Sequence, residues 1–114
     1  MPNIFKIIDT AVYQNAKSKG VFHGAEIDLK DGYIHLSASD QVRETARLHF
    51  AGRENLMLLA FEADAWGEAL KWEASRGGKL FPHLYVPLDM SLVLWAKPLP
   101  WTNGAHDFPA EAFA

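Results

Sequence analysis

The sequence predicts an α+β fold with a twisted, mainly antiparallel sheet and two main helices packed against it. Strand-like apolar runs outnumber helical segments by about six to two, and Asp31-Gly32 stands between two alternating runs as a hairpin signal. The chain has 114 residues, 49% of them hydrophobic and 22% charged, which suits one domain with a real core. A single domain over residues 1–114 is expected, ending in an irregular strap from about residue 98.

Residues 4–8 read as a buried strand, because large apolar side chains are bounded by Pro2-Asn3 and Asp9-Thr10. Asp9 is placed to cap a helix over residues 10–19, and Gly20 stands where a left-handed C-terminal residue is wanted. Ala25, Ile27 and Leu29 alternate before Asp31-Gly32, and Ile34 and Leu36 alternate after it, so two hairpin arms are expected. In the second arm a period of two puts Tyr33, His35 and Ser37 on one face.

Ser39 or Asp40 can cap a second helix to about Phe50, with Val42, Ala46, His49 and Phe50 on its inner stripe and Gly52 as its stop. The apolar run 56–61 suits a central strand covered on both faces. Residues 69–73 form a shorter strand with Leu70 and Trp72 facing one way and Lys71 and Glu73 the other, before the turn Ser75-Arg76-Gly77-Gly78. Over 81–85, His83 aligns with Tyr85, while Pro82 restricts the segment to an edge or an extended loop. A last strand is expected over 92–96, and Trp101, Phe108 and Phe113 give the tail apolar anchors.

The formal net charge is −3 and the pI about 5.9, so no general cationic field favours a nucleic-acid backbone. There is no cysteine, hence no disulfide, thiolate metal site or cysteine nucleophile. The longest apolar run is six residues against about 20 for a membrane-spanning helix, and no secretory segment is legible in the first ten residues. A cytoplasmic location without membrane partners is expected. The five histidines show none of the short metal-binding spacings, so no metal is expected.

Two clusters carry candidate chemistry: Tyr33, His35 and Ser37 on one strand, and Glu73, Ser75, Arg76, His83 and Tyr85 around the glycine turn. Brought together, they would form a small-molecule pocket with two imidazoles, a carboxylate and aromatic walls. Each residue also has a structural reading. The histidines suit strand positions bonded to neighbours, the Ser37 hydroxyl suits closing the next helix, and Glu73 suits an ion pair with Lys71 or Arg76.

Gly32-Tyr-Ile-His-Leu-Ser37, Glu44-Thr-Ala46, His49-Phe-Ala-Gly52, Trp72-Glu73, Ser75-Arg-Gly-Gly78 and Phe81-Pro-His-Leu-Tyr85 together resemble the bacterial domain-of-unknown-function family nine-five-two. That resemblance implies an ADP-ribosyltransferase-like fold, a split antiparallel core that binds NAD in a central cleft. Tyr33-Ile-His-Leu-Ser37, the apolar strand 56–62 and the stretch 78–87 are more distantly similar to the C-terminal lobe of RNA 2′-phosphotransferases, which use NAD. By this likeness His35 and Ser37 line the cleft, and Tyr33, Tyr85 and Trp72 offer stacking surfaces. The first strand departs from that pattern: Lys6-Ile-Ile-Asp-Thr10 stands where those transferases carry a histidine motif.

The resulting expectation is a domain that binds an NAD-like nucleotide or another small phosphorylated metabolite. His35, His83 and Glu73 are its catalytic candidates for a transferase or hydrolase reaction, and Tyr33, Ser37, Arg76, Tyr85 and Trp72 its substrate-binding candidates. The alternative is a non-catalytic interaction module, with structural histidines and an aromatic tail covering a partner or a second copy.

Overall fold

The structure, a computed structural model, describes residues 3–113, with the side chain of Arg76 excepted. Its organising element is β1 (Asn3–Asp9), antiparallel along its whole length to β5 (Leu56–Glu62). β4 (Ser37–Ala38) pairs with the other edge of β1, and β9 (Trp95–Leu99) with the far edge of β5, giving the order β4-β1-β5-β9.

A second sheet has the order β3-β7-β6, from β3 (Ile34–His35), β7 (Leu80–Leu84) and β6 (Leu70–Ala74). Two small pairs complete the set, β2 (Val21–Phe22) with β8 (Leu88–Asp89) and β10 (Trp101–Thr102) with β11 (Ala105–His106). All these pairings are antiparallel.

The alternation along β1 and β5 divides the core in two. Ile4, Ile8, Met57, Leu59 and Phe61 face the second sheet and α1 (Thr10–Lys19), where they meet Ala16, Ile34 and Leu84. Phe5, Ile7, Leu58 and Ala60 face α3 (Val42–His49) and the tail, where they meet Val42, Ala46 and Ala112. Burying each Leu-sized side chain is worth about 1.5–3 kcal/mol, which is why a strand covered on both faces anchors the fold. Trp95, Phe108 and Phe113 also pack on this second cluster, so much of the tail's aromatic surface is covered by the chain's own core.

α1 ends as expected, with Gly20 left-handed (φ 82°) and its N–H donating to the Ala16 carbonyl at 2.8 Å. Asp9 precedes the helix in an extended conformation without capping it through its side chain, and accepts from Arg53 at 2.7 Å instead.

Further expectations require correction. The stretch before Gly32 is not a hairpin arm but a third helix, α2 (Glu26–Asp31). The Asp28 carboxylate accepts the Ala25 N–H at 2.8 Å, and the Gly32 N–H donates to the Asp28 carbonyl at 2.9 Å. A left-handed glycine serves a hairpin turn and a helix C-terminus equally, so Gly32 (φ 86°) does not distinguish the two. The alternating Ile27 and Leu29 are 52% and 66% exposed, and the residue that α2 buries is Asp28.

β7 is the centre of its sheet, not an edge, despite Pro82. The Pro82 carbonyl accepts from the Leu36 N–H at 3.1 Å, and a residue's N and O point to the same side of a strand, so the missing donor faces the flank where β3 has already ended. α3 starts at Val42 after Gln41, whose side chain does not cap it, rather than being capped by Ser39 or Asp40. Gln41 instead accepts the Ala38 N–H at 3.0 Å and donates to the Leu80 carbonyl at 2.6 Å, tying the two sheets together. The last long strand lies at Trp95–Leu99 rather than 92–96, because residues 90–92 turn after Asp89, whose carboxylate accepts the Ser91 N–H at 2.9 Å. The tail beyond it holds the β10–β11 hairpin and a short turn at Ala110–Phe113.

Gly24 is the glycine with the least tolerance: its φ is 127°, and an added Cβ would lie 2.9 Å from the Cβ of Asp28. Gly24→Ala should therefore destabilise the protein by about 1–3 kcal/mol in urea titrations. An unchanged midpoint would show that α2 does not need this close approach.

Candidate small-molecule site

The register of the second sheet assembles the site. His35 lies opposite His83 across β3 and β7, and Lys71 lies opposite His83 across β7 and β6. Cross-strand partners share a face, so His35, His83, Lys71 and Glu73 project to one side while Ile34, Leu84 and Leu70 enter the core on the other. The two imidazole rings are 5.7 Å apart, centre to centre, and Tyr33 stacks on His83 at 4.1 Å. The strand predicted as continuous from Tyr33 to Ser37 breaks at Leu36, where the chain leaves β3 and enters β4 of the other sheet.

Both histidines line a cavity of about 560 Å³ bounded by β1, α2, the β3–β4 crossing, α3 and β7. Its apolar walls include Phe5, Ile27 and Phe81, and its polar groups come from Lys6, Ser37, Thr45, His49, Ser75 and the two histidines. His49, expected on the inner stripe of its helix, is exposed and lies at this cavity. The Ser37 hydroxyl bonds to that of Thr45 at 2.9 Å instead of closing the next helix. The volume falls in the range of small-molecule pockets, about 300–1,000 Å³.

The histidines differ in their partners. His83 is 3% exposed, and its Nδ1 lies 2.9 Å from Glu73 Oε1, which also accepts the Tyr85 hydroxyl at 2.7 Å. A carboxylate at Nδ1 selects the tautomer with the proton there and leaves the Nε2 lone pair free. No buried side-chain nitrogen or oxygen among the described residues lacks a partner, so Nε2, for which none is found, keeps contact with open space. His35 has carboxylates at both nitrogens, Asp28 Oδ1 at 2.7 Å from Nδ1 and Asp31 Oδ2 at 3.0 Å from Nε2.

Beneath His35 is a group outside both candidate clusters. Lys6, in the middle of β1 and 7% exposed, places Nζ 3.0 Å from Asp28 Oδ2 and 2.8 Å from the His35 carbonyl. Burial lowers the Lys6 pKa against the opposing pull of Asp28. For Asp28, burial acts to raise the pKa, but the hydrogen bond from His35 and the charge of Lys6 outweigh it and hold the carboxyl well below the usual carboxylate range. The Glu73 carboxyl is lowered by hydrogen bonds from Tyr85 and His83, while bonding to Glu73 pushes the Tyr85 phenol up to about 12.

The remaining candidates separate. Tyr33 and Tyr85 line a smaller cleft of about 200 Å³, and Glu73 reaches the large cavity only through His83. Trp72 lies opposite Pro82 on the other face of β6, away from Glu73 and His83. The Arg76 side chain lies outside the described residues. Among the described residues no cluster of three or more His, Asp or Glu is arranged to hold a metal, and no helix is long and apolar enough to cross a membrane.

An α+β protein with two antiparallel sheets beside a histidine-bearing cavity is the class that these elements define. Residues 7–96 match the family described as "Protein of unknown function (DUF952)", and the chain belongs to that family. It is similar to protein CC0527 from Caulobacter crescentus, whose crystal structure is 48% identical over 96% of this chain and 97% of that one, with a TM-score of 0.91. A double methionine variant of CC0527 gives the same identity, coverage and TM-score. The solution structure of CC0527 is 50% identical over 91% of this chain and 90% of that one, with a TM-score of 0.83. No protein of curated function matches the chain.

Two outcomes are expected. Asp28→Asn leaves Lys6 buried without its counter-charge and should cost about 3–5 kcal/mol in chemical denaturation. Because Asp28 has a lowered folded-state pKa, its contribution is fully present above the unfolded value of about 4 and is lost as pH falls from there towards the folded value. Stability of the wild type should therefore fall more steeply below pH 4 than that of the variant, and parallel pH profiles would refute the assignment. Glu73→Gln should bring the Tyr85 phenol from about 12 back towards about 10 in an ultraviolet titration.

Proposed function

We propose that the cavity binds a small organic ligand, an NAD-like nucleotide or another small phosphorylated metabolite, and that His83 backed by Glu73 acts on it. The observation that carries this reading is the convergence of His35 and His83 on one wall of a 560 Å³ cavity, with a ring nitrogen of His83 that has no partner among the described residues. A carboxylate–imidazole pair is suited to accept a proton from a ligand hydroxyl, since Glu73 stabilises the imidazolium that results. His35, engaged at both nitrogens, serves as a fixed wall and orients α2. The resemblance to ADP-ribosyltransferase-like folds makes NAD the first ligand to test, and a transferase or hydrolase reaction the first activity. The apolar walls at Phe81 and Ile27 suit a ligand with a flat or apolar body joined to a polar group.

Thermal unfolding of the wild type and of His83→Ala, each with NAD, ADP-ribose and a 2′-phosphorylated nucleotide, tests the reading. A ligand at about 100 times its Kd adds roughly 2.7 kcal/mol, which should raise the midpoint by several degrees. A wild-type shift that disappears in the folded variant is the expected result. No shift with any of the three would remove nucleotides as the ligand class.

A further inference from the structure

We propose that Lys6 is a second reactive group of this cavity, an amine that condenses with a small aldehyde or ketone to form an imine. The inference rests on the cavity being a ligand site and specifies a carbonyl group on what enters it. Lys6 is the lysine that lines the cavity, and it reaches there from the middle of β1, a position where a structural role alone would be filled by an apolar side chain like those of Ile4 and Ile8.

The geometry at Nζ suits a nucleophile. Two acceptors, the Asp28 carboxylate and the His35 carbonyl, take two N–H groups, and no third partner for Nζ is found among the described residues. A tetrahedral nitrogen then has one position left, which carries a third N–H in the ammonium and the lone pair in the amine. Burial favours the amine, as in lysines that form Schiff bases.

A path also exists for the proton that must leave. Asp28 Oδ1 lies 3.1 Å from Lys6 Nζ and 2.7 Å from His35 Nδ1, and His35 Nε2 lies 3.0 Å from Asp31 Oδ2. The Asp31 side chain is 36% exposed, so the series connects the buried nitrogen to solvent. The ammonium releases one proton along this series. The amine lone pair attacks the carbonyl carbon and forms a C–N bond; both N–H protons of the amine pass to the carbonyl oxygen, the first to give the carbinolamine and the second as the C–O bond breaks, so that the oxygen departs as water and leaves C=N. Amine plus carbonyl gives imine plus water, with no redox partner required.

The test uses the full chain with acetaldehyde and, separately, pyridoxal 5′-phosphate as a phosphorylated aldehyde, followed by borohydride reduction and peptide mass mapping. Lys6 should carry severalfold more of the reduced adduct than exposed Lys17 or Lys71, because its nitrogen faces a cavity that gathers the aldehyde and burial favours its amine form. Asp31→Asn, at the exposed end of the series, should slow labelling of Lys6 severalfold while leaving the thermal midpoint unchanged, an effect that a purely structural Lys6 would not produce. Adducts confined to the surface lysines with both aldehydes would overturn the proposal. A nucleotide shift without a Lys6 adduct refutes this inference alone, and a Lys6 adduct without any nucleotide shift refutes only the nucleotide reading.

Discussion

A buried lysine in the middle of the central strand is the constraint that the surrounding structure answers. Removing an ammonium from water costs several kcal/mol even after relaxation, and Lys6 lies among Ile4, Ile8 and the side chains packed against them. Asp28 supplies the counter-charge, and the whole of α2 is shaped to deliver it. Gly24 permits the close approach, Gly32 closes the helix, and the single buried side chain of the helix is the carboxylate. A helix that docks through its acidic residue while Ile27 and Leu29 face outwards is held by electrostatics, not by an apolar stripe. The same carboxylate accepts the backbone N–H of His35 at 3.0 Å, so the pair also fixes where β3 begins, and through the register of β3 and β7 it fixes His83.

What the sequence revealed follows from which signals have one meaning. A continuous apolar run such as 56–61, with a partner run at 4–8, has few solutions besides a strand pair covered on both faces, and the two pair along their length. Thr10–Lys19 ends in a glycine whose left-handed conformation agreed with the helical pattern before it. Asp31-Gly32 was ambiguous in a way that local pattern could not resolve, because the required dihedral is common to a hairpin turn and a helix end. The distinguishing information is tertiary: Asp28 turns inwards because Lys6 lies 22 residues away, and the alternation of Ile27 and Leu29 then belongs to solvent. Pro82 misled for a related reason. The rule against proline in central strands assumes that both flanks are paired, and here one flank ends just where the proline lacks its donor.

The site was legible where it depends on a period of two within one strand. His83 and Tyr85 do share a carboxylate, Glu73, which the same periodicity placed opposite in phase to Trp72. It was illegible where it depends on two sheets meeting. Tyr33, His35 and Ser37 read as one face of one strand, yet the chain crosses between sheets at Leu36, and Ser37 ends beside Thr45 of α3. Lys6 and Asp28 fall outside the candidate clusters, although the sequence carries a signal: a lysine flanked by Phe5 and Ile7 in a strand expected to be buried requires an acidic partner, and the acidic residues of 26–31 offer one.

The two histidines show how neighbouring positions acquire different chemistry. They occupy paired sites on adjacent strands and border the same cavity, so neither periodicity nor burial of the strand separates them. Their carboxylates do. His35 lies between Asp28 and Asp31, so both of its nitrogens are engaged by carboxylates and neither is presented to a ligand. His83 meets one carboxylate, and Glu73 holds that end so that the other nitrogen is presented as an acceptor. The two imidazoles thus differ in how many carboxylates each touches. Both carboxylates at His35 come from α2, the helix that Lys6 draws onto the sheet, so the buried lysine also decides which groups the His35 ring meets.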